Sequence, residues 1–209
     1  MKPYYQDDLV TIYHGDCRDV VSDGAWFGLD AIVTDPPYGI GATQMTLGNG
    51  RRRVDRGDSD WDAAAPDLGP IIALGLPTVI WGGNYFALPP SRRWLVWDKG
   101  TGDNDYADCE LAWTNLDGVV KKYVQSWVGA NARERDEPRW HPTQKPVSVM
   151  RWSLSFCPPG TVLDPYMGSG TTLVAAKSVG RYSIGIEREE RYCEMAATRL
   201  SQEVLGLTA

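Results

Sequence analysis

None of the four cysteines, Cys17, Cys109, Cys157 and Cys193, stands in a CxxC pair, so neither a zinc site nor a redox motif is indicated and reduced thiols are expected. No stretch approaches the ~20 apolar residues of a membrane span. The start of the chain mixes Lys2, Gln6, Asp7 and Asp8 with Tyr4 and Tyr5 and lacks an apolar signal core, which points away from secretion and towards the cytoplasm. There is no overall basic excess: 21 Lys and Arg face 27 Asp and Glu, a net charge of -6, so the bulk signature of a nucleic-acid binder is missing. No GKS or GKT is present, which disfavours a P-loop ATPase. Internal repeats and low-complexity tracts are absent as well.

What remains is ordinary globular composition, 43% hydrophobic and 23% charged, over a length that fits one α/β domain spanning 1–209. Positive charge is local. It gathers at Arg51, Arg52, Arg53 and Arg56, at Arg92 and Arg93, at Lys121 and Lys122, and at Arg133, Arg135 and Arg139. A basic rim on an acidic body follows, with the solvated loop as the competing interpretation of the arginine run.

Short β-rich runs are expected at Thr11–His14, Ala31–Thr34, Thr78–Trp81, Trp94–Trp97, Glu110–Thr114, Val119–Val124, Thr161–Leu163 and Tyr182–Ile186. Helical patterns lie between many of them, at Pro66–Gly75, Val147–Phe156, Thr171–Val179 and Glu189–Val204. This alternation predicts βαβ units around a parallel sheet. Two stretches break it. Gly39–Asp62 is rich in Gly, Arg and Asp, as a functional or mobile loop would be, and Ser126–His141 is polar but carries Trp127 and Trp140. Trp61, Trp127 and Trp140 are candidates for contacting displaced bases, with core or rim packing as the alternative.

Two strand ends carry the chemistry. Thr161–Thr172 reads TVLDPYMGSGTT, an acid at the end of a strand followed by a glycine turn that opens a helix, where nucleotide-like ligands bind in α/β sheets. Gly168 and Gly170 let a ligand approach the backbone, while Ser169, Thr171 and Thr172 are placed to cap the helix. About 20 residues on, the strand YSIGIE delivers Glu187, a candidate for holding ribose hydroxyls. The other end is Ala31–Tyr38, AIVTDPPY. Pro36 and Pro37 remove two backbone donors and leave carbonyl acceptors. Asp35 and the Pro36 carbonyl then suit the two N–H bonds of an aromatic amine, with Tyr38 stacking on its ring. His14 and His141 are discounted as acid–base groups in favour of hydrogen bonding.

DPPYGI at Asp35–Ile40, HPTQKP at His141–Pro146 and DPYMGSGTT at Asp164–Thr172 together resemble the β-class of DNA amino-methyltransferases. The likeness covers roughly Val10–Ile40 and His141–Leu200. It implies a class I methyltransferase fold, Rossmann-like, with a mostly parallel seven-stranded sheet carrying an antiparallel strand. It also implies a circular permutation in which the catalytic motif precedes the cofactor motif. The implied cofactor is S-adenosyl-L-methionine, and no metal is implied. By the same likeness Asp35, Pro36, Pro37 and Tyr38 are the catalytic tetrad. Asp164, Tyr166, Gly168, Ser169, Gly170 and Thr171 form the cofactor turn, and Glu187 is the ribose acid. Asp16 and Cys17 lie beside the cofactor's adenine, and Thr143 and Lys145 belong to the segment closing over its methionine end. Asp35 is also expected at the cofactor.

Tyr166 departs from the family's usual Phe but keeps the ring. Little corresponds to a sizeable target-recognition domain; a short segment at 116–140 is the candidate, with 39–62 as a DNA-facing loop. The expected partner is duplex DNA with the target base flipped out. The basic clusters Arg51, Arg52, Arg53, Arg56, Lys121, Lys122, Arg133, Arg135 and Arg139 are the expected DNA contacts. No membrane partner is expected, and the chain acts as a monomer or homodimer. Adenine N6 is the favoured target because enzymes acting on cytosine N4 more often carry Ser at the Asp35 position. The alternatives are cytosine N4 and a catalytically silent nucleic-acid-binding module. No cysteine follows a proline, so a cysteine attack on cytosine C5 has no support.

Overall fold

The computed structural model describes residues 2–22, 28–41, 62–100, 107–126 and 144–206. Its elements in chain order are β1 (Tyr5–Gln6), β2 (Val10–His14), α1 (Cys17–Ser22), β3 (Leu29–Thr34), α2 (Gly69–Ile72), β4 (Thr78–Trp81), a 3-10 turn at Gly83–Tyr85, β5 (Trp94–Asp98), β6 (Cys109–Thr114), β7 (Lys121–Val124), α3 (Val147–Leu154), β8 (Thr161–Asp164), α4 (Thr171–Ser178), β9 (Ser183–Glu187) and α5 (Glu190–Gly206). All eight β-rich runs of the sequence are strands. β1 and α1 were not anticipated, because segments of two and six residues carry no readable period.

The strands form one sheet in the order β1-β2-β9-β8-β3-β4-β6-β5-β7. Among the described residues the sheet has nine strands rather than the seven expected: β1 adds a two-residue antiparallel partner to β2 at one edge, and β7 lies parallel to β5 at the other. Only β6, antiparallel to β4 and β5, interrupts the parallel run between those edges.

Both faces of the sheet are covered, which explains the continuous apolar runs of its central strands. Along β3 the pleat sends Val33 to one face, with Val79, Trp81, Leu95 and Trp97, where Val149, Met150 and Leu154 of α3 and Ala175 and Ala176 of α4 close the core. Ile32 points to the opposite face with Ile80, Leu163 and Ile186, under Leu68, just before α2, and Ile71 within it. Leu173 and Val174 of α4 also pack with Val10 and Ile12 of β2 and with Cys193, Ala196 and Leu200 of α5. Among the described residues no helix is long and apolar enough to cross a membrane.

The topology locates a crevice. From β8 the chain passes through α4 to β9 on one side, and from β3 it passes to β4 on the other, while β8 and β3 are themselves neighbours. That reversal is a topological switch point, the position at which open α/β sheets bind ligands beyond the carboxyl ends of their strands.

Candidate active site

Four adjacent parallel strands, β2, β9, β8 and β3, each deliver an acid at or just beyond the carboxyl end: Asp16, Glu187, Asp164 and Asp35. All four line one cavity of about 420 Å³, together with Gly168, Tyr166, Cys17 and Lys145. The acids are individually fixed. Glu187 Oε2 accepts the Gly168 amide at 3.0 Å and its Oε1 accepts the Glu189 amide at 2.7 Å, so the carboxylate is tied to the glycine turn. Burial raises its pKa, and those amides oppose the rise. Asp16 is instead lowered to about 2 by the hydrogen bonds and charge of Arg18, whose guanidinium lies 2.6 Å away.

Asp164 is the most buried of the four, 2% exposed. Its Oδ1 accepts the Thr34 hydroxyl at 2.7 Å and the Tyr166 amide at 3.1 Å, which joins the end of β3 to the glycine turn after β8. Burial pushes its pKa up to about 6, against the hydrogen bonds from Thr172 and Thr34. A carboxyl raised in the fold binds its proton more tightly than in the unfolded chain. Its contribution to stability is therefore present below the unfolded pKa and lost as pH rises through about 6. Asp164→Asn, which cannot ionise, should escape that loss. Without ligand it should gain up to ~3 kcal/mol on the wild type between pH 4 and pH 7, as read by denaturant unfolding at both pH values.

At the proline turn, Asp35 keeps 27% side-chain exposure and faces the cavity. Its Oδ1 accepts the Tyr38 hydroxyl at 2.6 Å and lies 2.6 Å from the Lys145 ammonium. Lys145, with 4% side-chain exposure, also reaches Glu110 Oε2 at 2.9 Å and the Tyr38 hydroxyl oxygen at 2.8 Å. Burial raises the Asp35 pKa, with Lys145 opposing and Glu110 adding to the rise. The Tyr38 ring stacks on Tyr85 at 4.9 Å between centroids and meets Phe86 edge-on. It also lies against Gly82, where a Cβ would come within 2.0 Å of it and where φ is +68.

The glycine turn and the acid of the proline turn thus open into one cavity, and known proteins identify the family. Residues 80–198 match the N6/N4 methyltransferase family, described as DNA methylase. The chain is 42% identical to the Type II methyltransferase M.HinfI of Haemophilus influenzae, covering 97% of this chain and 71% of that relative. The chain belongs to this family of DNA methylases. It is a β-class amino-methyltransferase, acting on adenine N6 or cytosine N4.

Further likenesses agree with that assignment. The Type II methyltransferase M.ScaI of Streptomyces caespitosus is 26% identical across 99% of this chain and 86% of its own. The crystal structure of the M1.HpyAVI–SAM complex superposes with a TM-score of 0.59 at 25% identity, covering 92% of this chain and 99% of that one. The cytosine-N4-specific PvuII DNA methyltransferase, at 15% identity and a TM-score of 0.57, shares the fold, covering 95% of this chain and 88% of its own.

Within this methylase most of the sequence-read catalytic and cofactor residues meet at the crevice. Asp16, Cys17, Asp35, Pro37, Lys145, Asp164, Tyr166, Gly168, Ser169, Thr171 and Glu187 all line the cavity. Gly170 does not. It begins α4 in a left-handed conformation, with φ +79. Nor do Pro36 and Tyr38 line it; the Tyr38 hydroxyl points to Asp35, Glu110 and Lys145. The expected hydroxyl cap of α4 is corrected: no side chain caps the helix. Thr172 is engaged with Asp164, and Thr171 and Ser169 with Arg199, so their hydroxyls are already committed.

Arg199, Glu110 and Gly82 are participants that the sequence did not reveal. Arg199, on α5 and 3% exposed, donates to the Ser169 carbonyl at 2.6 Å and holds the glycine turn from beneath. Lys121 and Lys122 lie on the edge strand β7, separated from β3 by β4, β6 and β5, and Lys122 pairs with Asp98 at 3.0 Å. Neither reaches the cavity. Thr143, Arg51, Arg52, Arg53, Arg56, Arg133, Arg135 and Arg139 fall outside the described residues, as do Trp61, Trp127, Trp140 and His141. The stem of the 39–62 stretch is described: Asp62 Oδ1 accepts the Gly39 amide at 2.8 Å, and the adjoining Ala64, Ala65 and Pro66 line the cavity.

Proposed function

We propose that this methylase transfers a methyl group from S-adenosylmethionine to the N6 amine of adenine in DNA. The observation that carries the proposal is the shared cavity: the Asp35 carboxylate and the glycine turn at Gly168 open into the same space, from neighbouring strands.

The residues present suit the cofactor. Gly168 leaves open room where a Cβ would stand, Glu187 retains free lone pairs for ribose hydroxyls, and Asp164 supplies negative charge for a cationic ligand. When bound, S-adenosylmethionine supplies an electrophilic methyl group on a sulfonium. The protein's part is to hold a nitrogen in line with that methyl. Asp35 and the Pro36 carbonyl accept the two amine hydrogens, which directs the nitrogen lone pair at the donor; this is positioning chemistry with no covalent enzyme intermediate. A duplex base reaches Asp35 only when extruded from its stack, at a cost of a few kcal/mol. Tyr38, with its ring stacked on Tyr85 and its hydroxyl donated to Asp35, stands outside the cavity and braces the turn rather than carrying the base. The arginines at 51–53, 56, 133, 135 and 139, with Lys121 and Lys122, supply the phosphate contacts, so DNA affinity should fall steeply with salt.

Adenine is favoured over cytosine because a full carboxylate, rather than a hydroxyl, stands at position 35. Incubation with random-sequence DNA and labelled S-adenosylmethionine, followed by nucleoside mass analysis, should give N6-methyladenine. N4-methylcytosine would move the target to the second base, and no labelled nucleoside would leave a silent module.

A further inference from the structure

Glu110 belongs to no motif, yet it sits at the heart of the catalytic turn. It comes from β6, whose antiparallel pairing with β4 brings its side chain beside Lys145. Its two oxygens are held separately, Oε1 by Lys99 at 2.7 Å and Oε2 by Lys145 at 2.9 Å. The Lys99 ammonium rests 5.2 Å from the centre of the Trp97 ring, and that of Lys145 lies 5.4 Å from the rings of Trp81 and Tyr38. The cluster is thus two carboxylates, two ammonium groups and one phenol, balanced in charge.

The consequence concerns the two oxygens of Asp35. Oδ1 is occupied twice, by the Tyr38 hydroxyl and by Lys145, both at 2.6 Å. Among the described residues no donor reaches Oδ2. We infer that Glu110 and Lys145 are positioning residues: Glu110 anchors Lys145, and Lys145 pins Oδ1 so that Asp35 stays an anion and offers Oδ2 alone to the amine. The inference rests on the proposed role of Asp35 as the acceptor of that amine.

The charges around Asp35 make the two residues separable by experiment. Asp35 faces Lys145, Glu110 and Tyr38, with Asp164 acting on the cavity side and Tyr85 and Lys99 one contact further out. Removing Lys145 leaves Asp35 among carboxylates and favours its protonated form; removing the Glu110 charge does the reverse. Lys145→Met should therefore move the acid limb of the kcat/KM profile up by about one pH unit or more, and lower the rate at pH 7.5 by about tenfold or more. Glu110→Gln should move that limb down, with kcat lowered because Lys145 has lost its anchor. S-adenosylmethionine affinity, measured by calorimetry, should stay within a few-fold of wild type in Glu110→Gln, whose side chain is not among those lining the cavity.

A purely structural role predicts acid limbs that stay in place, or that move together in one direction, and either result overturns the inference. If Lys145→Met does not fold, the downward limb of Glu110→Gln decides alone. Asp35→Ala separates the two ideas. If it is inactive while both pH profiles match wild type, the positioning role fails and the amine site stands; if it is active, both fall.

Discussion

Asp35→Ala should lower methyl transfer by about 10³-fold or more while leaving S-adenosylmethionine binding within a few-fold of wild type. The size follows from the role proposed for the side chain. An acceptor aimed at the reacting nitrogen both orients the lone pair and stabilises the positive charge that develops as the methyl arrives, and loss of one such preorganised contact commonly costs 10²–10³ in rate. Misplacement of the amine adds to this. In the proposed placement the cofactor's principal contacts would come from β8 and β9, through Asp164, Gly168 and Glu187, which line the same cavity, so they should survive the change. Single-turnover transfer and calorimetric binding, measured on the same preparation, check both halves. Equal loss of binding and of rate would instead make Asp35 a cofactor ligand.

The glycine turn gives the second large effect, because its two glycines do different jobs. At Gly168, φ is +51 and a Cβ would meet nothing within 4 Å, since the space beside it belongs to the cavity. Gly168→Leu therefore fills the ligand's place, and cofactor affinity should fall about 100-fold or more, over 2 kcal/mol. Some backbone strain accompanies it, about 1–2 kcal/mol for a left-handed residue with a side chain. At Gly170, φ is +79 and a Cβ would stand 2.8 Å from the Ala196 Cβ on α5. Gly170→Val forces α5 away from the turn, so its main effect should be a lower melting temperature. A binding defect confined to the Gly170 variant, with Gly168→Leu binding normally, would misplace the pocket.

The parts of the site legible in the sequence were those whose chemistry is local. AIVT followed by DPPY is a doubly buried strand stopped by two prolines, and TVLD followed by PYMGSG is the same device with glycines; each motif needs only its own neighbours to be understood. The sheet then does the remaining work by pairing β3 with β8 directly. Glu110 shows the opposite case. In CELAWT it is one polar residue in a half-buried strand, and nothing within that segment distinguishes it from a solvated edge position. Its partners, Lys99 and Lys145, lie 11 residues before and 35 residues after it in the chain, and only the antiparallel insertion of β6 between β4 and β5 brings them together.

Lys145 was legible as a site residue through the HPTQKP motif, but its partner was not. The segment was expected over the methionine end of the cofactor, whereas the ammonium group is paired with Asp35 and Glu110. Gly82 carries no motif; its requirement for a missing side chain arises from the Tyr38 ring packed against it, a contact between positions 44 residues apart. Arg199 lay hidden in the amphipathic pattern of α5, where an arginine ordinarily marks the solvent face. Its burial beneath Ser169 reflects the docking of α5 against the turn.

A crystal structure with S-adenosylmethionine bound tests the central claim most directly, since donor and acceptor are held to share one crevice. The cofactor should lie along the carboxyl ends of β8 and β9, its ribose at Glu187. Its methyl group should point towards Asp35, with room for one amine nitrogen at the ~3–3.5 Å of a reactive approach. A cofactor seated elsewhere, or one whose methyl faces away from the proline turn, would contradict the account.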